Sequence, residues 1–220
     1  EKKEKTETGV FAEGCSFYKI VLLFIIGAFL GDITETIFCR ITAGVWMSRS
    51  SLVWGPFSIV WGLAIALATW FLYNYRDRSD GFLFAFGTFL GGATKHLQCV
   101  HRNRIRKVFW DYSDIPFNLG GRINLLYCFF WGIAAVVWLK KFYPVISRWI
   151  EKIPMKFGEI ITWILIVFMV ANMLVSTLAL ARYDERAHQK PAANAIEQTI
   201  DAHFPDARME KIYPNAKAIN

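Results

Sequence analysis

Residues 17–38, FYKIVLLFIIGAFLGDITETIF, decide the fold class of this 220-residue chain. An α-helix of roughly 20 apolar residues crosses the ~30 Å hydrocarbon core of a bilayer, and this stretch is long enough to do so. The charged residues 1–16 before it show no pattern typical of signal-peptide cleavage. We therefore expect residues 17–38 to form a membrane span that the protein retains.

Four more apolar runs follow the first one. They cover residues 52–73, 82–100, 123–142 and 157–181, and the third is the weakest because polar side chains interrupt its end. Since 55% of the chain is hydrophobic, the alternative of buried helices in a soluble domain is disfavoured. The sequence thus predicts an all-α integral protein of the cell membrane with about five transmembrane helices. Lysines and arginines are nearly balanced between the two sides, so the positive-inside rule favours a cytoplasmic N-terminus only slightly.

The apolar runs divide the chain into three parts. A charged segment, residues 1–16, precedes a transmembrane domain at residues 17–181, and a soluble tail occupies residues 182–220. Apolar residues recur with helical spacing in the tail and stop at Phe204-Pro205. This pattern predicts one short helix in the tail, with the fifth span, residues 157–181, leading into it.

Two stretches of the transmembrane domain resemble each other. Residues 29–39, FLGDITETIFC, and residues 89–99, FLGGATKHLQC, share Phe-Leu-Gly, a threonine and the final cysteine at corresponding positions. After each stretch comes a span with the sequence Trp-Gly-x-Ala, beginning at Trp61 and Trp131. Chance agreement between two apolar sequences is the alternative to duplication. The favoured prediction is a parallel repeat of one helix pair, related by an axis along the membrane normal, with copies at about residues 17–74 and 82–143.

Glu35 is the most unusual polar residue of the first span. Asp32 lies three residues earlier, on the same face of a helix. A carboxylate at membrane depth costs several kcal/mol unless it is paired, neutralised or hydrated, so Glu35 should face a protein interior or a cavity. The alternative is that the span ends near Gly31 and that Glu35 lies at the membrane interface.

With five spans, the loops at residues 40–51 and 101–122 and the tail all lie on one side of the membrane. Arg49 and Arg122 precede the second and fourth spans, and a guanidinium can either clamp an internal carboxylate or bind an anion. Lys95 occupies the repeat position of Glu35 and could pair with it. Aromatic residues of the longer loop could instead anchor in the headgroup layer. The predicted functional cluster consists of Glu35, Arg49, Lys95, Trp110, Asp111, Tyr112, Ser113, Asn118 and Arg122.

Gly55-Pro56 lies near the start of the second predicted span. Proline is tolerated in the first turn of a helix, where no intrahelical N–H is lost, so Pro56 can mark a helix start. If Leu52 and Val53 are already helical, Pro56 marks a broken helix instead.

Several motifs occur in a fixed order along the chain. They are FLGDITET at residues 29–36, RSSLVWGPF at 49–57, WDYSDIPFNLGGRINLLYCFFWG at 110–132, NAIE at 194–197, IDAHFPDARM at 200–209 and YPN at 213–215. Together they resemble a family of bacterial membrane proteins labelled putative ABC-transporter permease, type IV. The chain departs from that family at Lys95 and His96, where members usually have an acidic residue and then an aromatic one. If a paired-carboxylate site is the working part of the family, the resemblance implies that this chain has altered it. The residues that match the family's signature positions are Glu35, Arg49, Gly55, Pro56, Trp110, Asp111, Tyr112, Ser113, Pro116, Phe117, Asn118, Gly121 and Arg122.

The polar cluster and the resemblance predict a permease-like membrane subunit with a polar site between the repeat halves at one membrane face. One alternative is a membrane-embedded enzyme acting on a lipid or phosphorylated substrate, with Asp111 or Glu35 as acid or base. The other is a non-transporting accessory subunit, in which the arginines and carboxylates only hold the fold.

The expected partners follow from what the sequence contains. No phosphate-binding GxxxxGK[ST] loop is present, so ATP hydrolysis would need a separate ATPase subunit. The four cysteines form no CxxC pair and no nucleophile-plus-base spacing is evident, so we expect no metal, no cofactor and no catalytic residue. Five spans are few for a complete pore, which favours a homo-oligomer or other membrane subunits, in contact with membrane lipids. Nucleic acid is not expected, because the basic residues are spread over loops.

Overall fold

The computed structural model describes residues 9–90, 118–119 and 123–214. These residues are mostly helical, as the apolar runs predict. The helices are α1 (Phe17–Ala43), α2 (Ile59–Leu72), α3 (Asp80–Leu90), α4 (Leu125–Val137), α5 (Tyr143–Glu151), α6 (Met155–Ala187), α7 (Ala195–His203) and α8 (Asp206–Ile212). A 3-10 turn, Tyr73–Tyr75, extends α2, and a π-helical stretch, Trp138–Phe142, joins α4 to α5. Two short antiparallel strands, β1 (Asn118–Leu119) and β2 (Ile123–Asn124), precede α4.

Three helical stretches among the described residues are long and apolar enough to cross a membrane. They are Phe17–Ala43, Cys128–Glu151 and Met155–Ala187. Two shorter apolar helices, Ile59–Tyr75 and Asp80–Leu90, correspond to the second and third predicted spans. The all-α, multi-pass membrane fold is thereby confirmed. Residues 91–100 of the third predicted span lie outside the described residues.

The chain forms two compact units. One contains residues 1–66 and 153–220, and the other contains residues 67–152. In the first unit α6 packs against α1, α7 and α8. One core cluster joins Ile25, Leu52 and Met169. A second cluster, described below with the tail, lies at the end of α6.

Glycines allow α1 and α2 of the first unit to pack closely, and Gly62 and Gly27 are two of them. A Cβ atom placed on Gly62 of α2 would lie 2.7 Å from the carbonyl oxygen of Phe24 in α1. A Cβ atom on Gly27 would lie 2.8 Å from the terminal methyl carbon of Ile65. Neither position has room for a larger residue unless the helices separate, so small residues set the distance between α1 and α2.

The second unit has the same kind of packing between α3 and α4. A Cβ atom on Gly132 would lie 2.7 Å from the carbonyl oxygen of Phe84, and one on Gly87 would lie 2.6 Å from the Cβ of Ala135. Within this unit the indole nitrogen of Trp138 also donates to the hydroxyl of Thr69 at 2.9 Å. Here too the glycines allow two backbones to approach closely.

The second span differs from its predicted boundary, because α2 begins at Ile59 and not at residue 52. Residues 46–58, which we name the inserted segment, are non-helical. Gly55 has a φ of +83°, which glycine adopts without strain, and the following Pro56 disfavours helical backbone before it. The structure thus places Pro56 ahead of the helix and excludes the alternative of a helix that is broken at this proline.

The tail also differs from the prediction of one short helix, because both α7 and α8 form. Pro205 does not end the helical region; it is the N-cap of α8, and Asp206 lies in the first turn, where a negative charge is favourable. The helix that contains the fifth predicted span is longer than that span, since α6 begins at Met155 and continues beyond residue 181 to Ala187.

Candidate functional site

An ion pair between Glu35 and Arg49 lies at the centre of the first unit's polar residues. Arg49 donates from Nε and Nη2 to Oε1 of Glu35, at 3.0 and 2.7 Å. The other carboxylate oxygen, Oε2, accepts a hydrogen bond from Nε1 of Trp61 at 3.1 Å. The side chains of Arg49 and Glu35 are only 18% and 25% exposed. Three separate elements, α1, the inserted segment and α2, therefore meet at one carboxylate.

The local sequence explains why Arg49 can reach Glu35. Helix α1 ends at Gly44, whose φ of +72° and N–H bond to the carbonyl of Arg40 form a left-handed C-cap. The cap turns the chain back, so that the inserted segment returns along α1 rather than leaving it. Glu35 itself lies within α1, about 12 Å from Ala43 at 1.5 Å per residue.

Asp32 is the second carboxylate of this cluster. It lies one helical turn before Glu35 and its residue is only 3% exposed. Its Oδ1 atom has no hydrogen-bond partner among the described residues. The charged groups that act on it are Glu35 and Arg49. We call Asp32, Glu35, Arg49 and Trp61 the polar cluster; among the described residues it holds two carboxylates and one guanidinium.

The inserted segment is held by polar side chains from the middle of α6. Asn172 forms a paired contact with the backbone of Trp54: Trp54 N–H donates to Oδ1 at 3.1 Å, and Nδ2 donates to the Trp54 carbonyl at 2.7 Å. The N–H of Val53 donates to the hydroxyl of Ser176 at 2.9 Å. Non-helical backbone at membrane depth is tolerated only where its polar groups are satisfied by protein or water. Asn172 and Ser176 supply these partners.

The inserted segment is also tied to itself and to α1. The N–H groups of Leu52 and Phe57 donate to the hydroxyl of Ser50, at 3.1 and 3.2 Å. At its end, the N–H of Ser58 donates to the carbonyl of Ala28 at 2.9 Å. These contacts fix the loop that carries Arg49.

The tail covers the inserted segment from the end of α6. Val53, Ala179, Phe204 and Met209 form one buried apolar cluster. The Tyr213 hydroxyl donates to the carbonyl of Ser51 at 3.0 Å. Burial raises the pKa of Tyr213, with a hydrogen bond from Ser176 acting in the opposite direction.

Two arginines at the end of α6 attach the tail through carboxylates; we name this set the tail clasp. Arg182 bonds both oxygens of Asp201, with its Nη2–Oδ2 bond at 2.7 Å. Arg186 also bonds Asp201, and its Nε donates to Asp206 at 2.7 Å. The hydrogen bond from Arg182 holds the pKa of Asp201 below its ordinary value, partial burial opposes this, and Arg186 adds to the lowering.

Only part of the predicted functional cluster can be placed. Glu35 and Arg49 are brought together. Six predicted residues lie outside the described residues: Lys95, Trp110, Asp111, Tyr112, Ser113 and Arg122. The backbone of Asn118 lies in β1, paired with Asn124, and its side chain is outside the description. The pairing of Lys95 with Glu35 therefore stays a prediction. Within residues 9–90, 118–119 and 123–214, no group of three or more metal-ligating side chains comes together.

Sequence reasoning missed the residues that hold the inserted segment. Asn172 is the one side-chain amide between residues 160 and 181, and an amide inside a membrane helix usually has a protein partner. A single amide in an apolar helix was therefore a sequence signal for the contact that Asn172 makes. The sequence prediction uses Trp61 only as the start of a repeated Trp-Gly-x-Ala sequence. An indole N–H within the membrane also needs a hydrogen-bond acceptor. Asp32 was noted only as a neighbour of Glu35.

A comparison with models of protein families matches residues 22–177 of the chain to the family described as Putative ABC-transporter type IV. Comparison with curated proteins found no match, and comparison with solved structures found none either. The matched range contains all of the polar cluster, the inserted segment and Asn172. Since the match spans more than half of the chain, this protein belongs to that family of ABC-transporter-related membrane proteins.

Proposed function

We propose that this chain is a permease-like membrane subunit whose solute site includes the polar cluster. The observation that carries the proposal is the inserted segment, a stretch of non-helical backbone pinned to the middle of α6 beside two carboxylates. Transporters place substrate sites where helices are interrupted at membrane depth and irregular backbone lines a cavity. The membership of a transporter-related family supports the same function, and it supports partners that are themselves membrane-associated.

We also propose that α1–α2 and α3–α4 are copies of one helix pair. The supporting contacts fall at corresponding positions: Gly62 approaches the carbonyl of Phe24, and Gly132 approaches that of Phe84. Each member of the second pair lies at the numbering offset that the sequence repeat predicts, 60 for the first helix and 70 for the second. Gly27 with Ile65 and Gly87 with Ala135 correspond in the same way.

Solute flux tests the proposed function. Protein purified in mild detergent with its co-purifying subunits would be reconstituted into liposomes, with ATP supplied on both sides. Efflux of labelled inorganic phosphate, glycine and choline would be compared with protein-free liposomes. We expect flux of at least one probe, and its loss in Glu35→Gln and Arg49→Ala. Arg148→Ala is the matched control, because Arg148 is exposed and, among the described residues, donates only to the carbonyl of Pro144 in its own helix.

The accessory-subunit alternative has one specific observation in its favour. The two Arg49 nitrogens that form hydrogen bonds, Nε and Nη2, both donate to Glu35, as expected of an arginine that only stabilises the fold. If no probe moves while Glu35→Gln and Arg49→Ala still lower thermal stability, this alternative replaces the permease function. The enzyme alternative named Asp111 or Glu35 as acid or base and stays a prediction: Asp111 lies outside the described residues, and Glu35 is hydrogen-bonded to Arg49 and Trp61.

A further inference from the structure

Asp32 is a carboxyl group in the membrane-spanning part of α1 that no described residue neutralises. The residue is 3% exposed, and Oδ1 has no hydrogen-bond donor among the described residues. An ionised carboxylate in such a place loses its hydration, and Arg49, the cation that acts on it, is already hydrogen-bonded to Glu35. Burying the protonated form is far less costly, because it carries no charge.

The described elements around Asp32 offer few charges to it. Glu35 of α1 and Arg49 of the inserted segment are the charged groups that act on it. Helix α2 and residues 160–181 of α6 contain no ionisable side chain. Arg49 directs Nε and Nη2 at Glu35, and its Nη1 makes no hydrogen bond among the described residues. The positive charge of Arg49 therefore balances the negative charge of Glu35, and Nη1 remains available as a hydrogen-bond donor.

We propose that Asp32 is a proton-binding site, and that loss of its proton transfers part of the Arg49 guanidinium from Glu35 to Asp32. In the protonated state the Asp32 carboxyl group is neutral, and Arg49 is hydrogen-bonded to Glu35. When the O–H bond breaks, the proton passes to a water molecule, and the carboxylate attracts the free Nη1 of Arg49. No electron is transferred and no other bond breaks. Because Arg49 lies on the inserted segment, the exchange moves the same loop that Asn172 anchors.

A proton fits this site better than a metal ion does. A bound metal ion needs several oxygen ligands at short distance, and in the described part of the chain no three metal-ligating side chains converge. A proton needs one oxygen with a free lone pair, which Oδ1 of Asp32 has. Proton exchange at Asp32 would couple proton binding to solute transport. In that respect the inference deepens the proposed permease function and rests on it. The binding of the proton itself can be measured without any transport.

The test is infrared difference spectroscopy of the full chain in liposomes, stepped between pH 8 and pH 5 in potassium and then in sodium buffer. We expect a carboxylic-acid C=O band that appears at low pH, shifts when the protein contains [4-¹³C]aspartate, and is lost in Asp32→Asn. Asp77→Asn is the control, since the Asp77 side chain is 90% exposed and should leave the band unchanged.

Each result decides the proposal. A band that is unchanged in Asp32→Asn, or that never varies with pH, overturns it. A band suppressed by sodium but not by potassium overturns it in favour of a sodium site. If Asp32→Asn does not fold, Asp32→Glu decides, because it keeps a titrating carboxyl group whose band should no longer shift with [4-¹³C]aspartate; a band that still shifts overturns the proposal. A titrating Asp32 band without flux of any solute would leave proton binding intact while the permease function fails.

Discussion

Arg49 directs two hydrogen bonds at one oxygen of Glu35, Oε1, and leaves the other oxygen to Trp61. This differs from the common arrangement in which the two guanidinium nitrogens bond the two carboxylate oxygens separately. The indole of Trp61 takes the place of the second bond, so the carboxylate joins three elements instead of two. Loss of any member should therefore loosen both the α1–α2 contact and the inserted segment.

The ion pair should be energetically coupled. Glu35→Gln and Arg49→Gln should each lower stability, and the double variant should cost less than the sum, with a coupling of about 1–3 kcal/mol. The reason is that each single change leaves a partly buried charge without its partner. A double-mutant cycle of thermal unfolding in detergent measures this. Additive effects would mean that the pair contributes nothing beyond its individual side chains.

Asn172 should be more important for stability than other polar residues of α6. Asn172→Leu leaves the partly buried N–H and C=O of Trp54 without their protein partners, at up to roughly 1–3 kcal/mol for each group. Thr177→Ala is a matched control, because within the described part of the chain its hydroxyl bonds only to the carbonyl of Met173 in the same helix. Thermal unfolding and protease cleavage within residues 46–58 give the comparison. Equal behaviour of the two variants would show that the inserted segment does not depend on α6.

The outcome for Glu35 and the outcome for the inserted segment show what the sequence could and could not reveal. Glu35 was predictable as a paired residue because a lone carboxylate in an apolar helix is costly wherever it lies. The partner Arg49 was predictable because it is close in sequence and directly follows the first span. Local composition was sufficient for both.

The inserted segment was not predictable in this way. Leu52, Val53 and Trp54 are apolar, and apolar residues before a span read as part of the helix. Gly55-Pro56 marks where the helix can begin, but the non-helical backbone before it also depends on partners from α6, more than a hundred residues away, which accept and donate its hydrogen bonds. Periodicity carries no information on such distant pairing. The second tail helix was missed for a different reason. A proline after a helical pattern can mark the end of one helix or the start of the next, and Pro205, the N-cap of α8, lies between two helices.

The proposed repeat predicts equal sensitivity at two glycines. Gly62→Ala and Gly132→Ala each place a Cβ 2.7 Å from a phenylalanine carbonyl oxygen, so each should destabilise the protein by about 1–3 kcal/mol through overpacking. Gly81→Ala is the control, because a Cβ there meets nothing within 4 Å. Unfolding temperatures of the three variants provide the test. A strong effect at one glycine and none at the other would contradict equivalent packing.

The tail clasp should open only in acid. The folded pKa of Asp201 is lowered, so its contribution to stability is fully present above the unfolded value of about 3.9 and is lost as pH falls through the lower, folded value. Hydrogen exchange in α7, corrected for the intrinsic pH dependence, should thus stay slow from pH 8 to about pH 4 and rise below it. Asp201→Asn should exchange faster throughout and lose this dependence. Release of α7 near neutral pH in the unmodified protein would contradict the assignment.

Removal of the tail should release the inserted segment while α6 remains folded. Truncation after Gln189 deletes α7 and α8, and with them Phe204, Met209 and the Tyr213 hydroxyl bond to Ser51. Val53 and Ala179 would then lose their apolar cover, whereas the Asn172 contacts to Trp54 would be left in place. We expect faster hydrogen exchange at residues 50–54 and unchanged exchange in the middle of α6. Tyr213→Phe provides the finer comparison, because it removes a single hydrogen bond and should give a smaller increase at the same residues. Unchanged exchange at residues 50–54 after truncation would show that the tail does not hold the loop that carries Arg49.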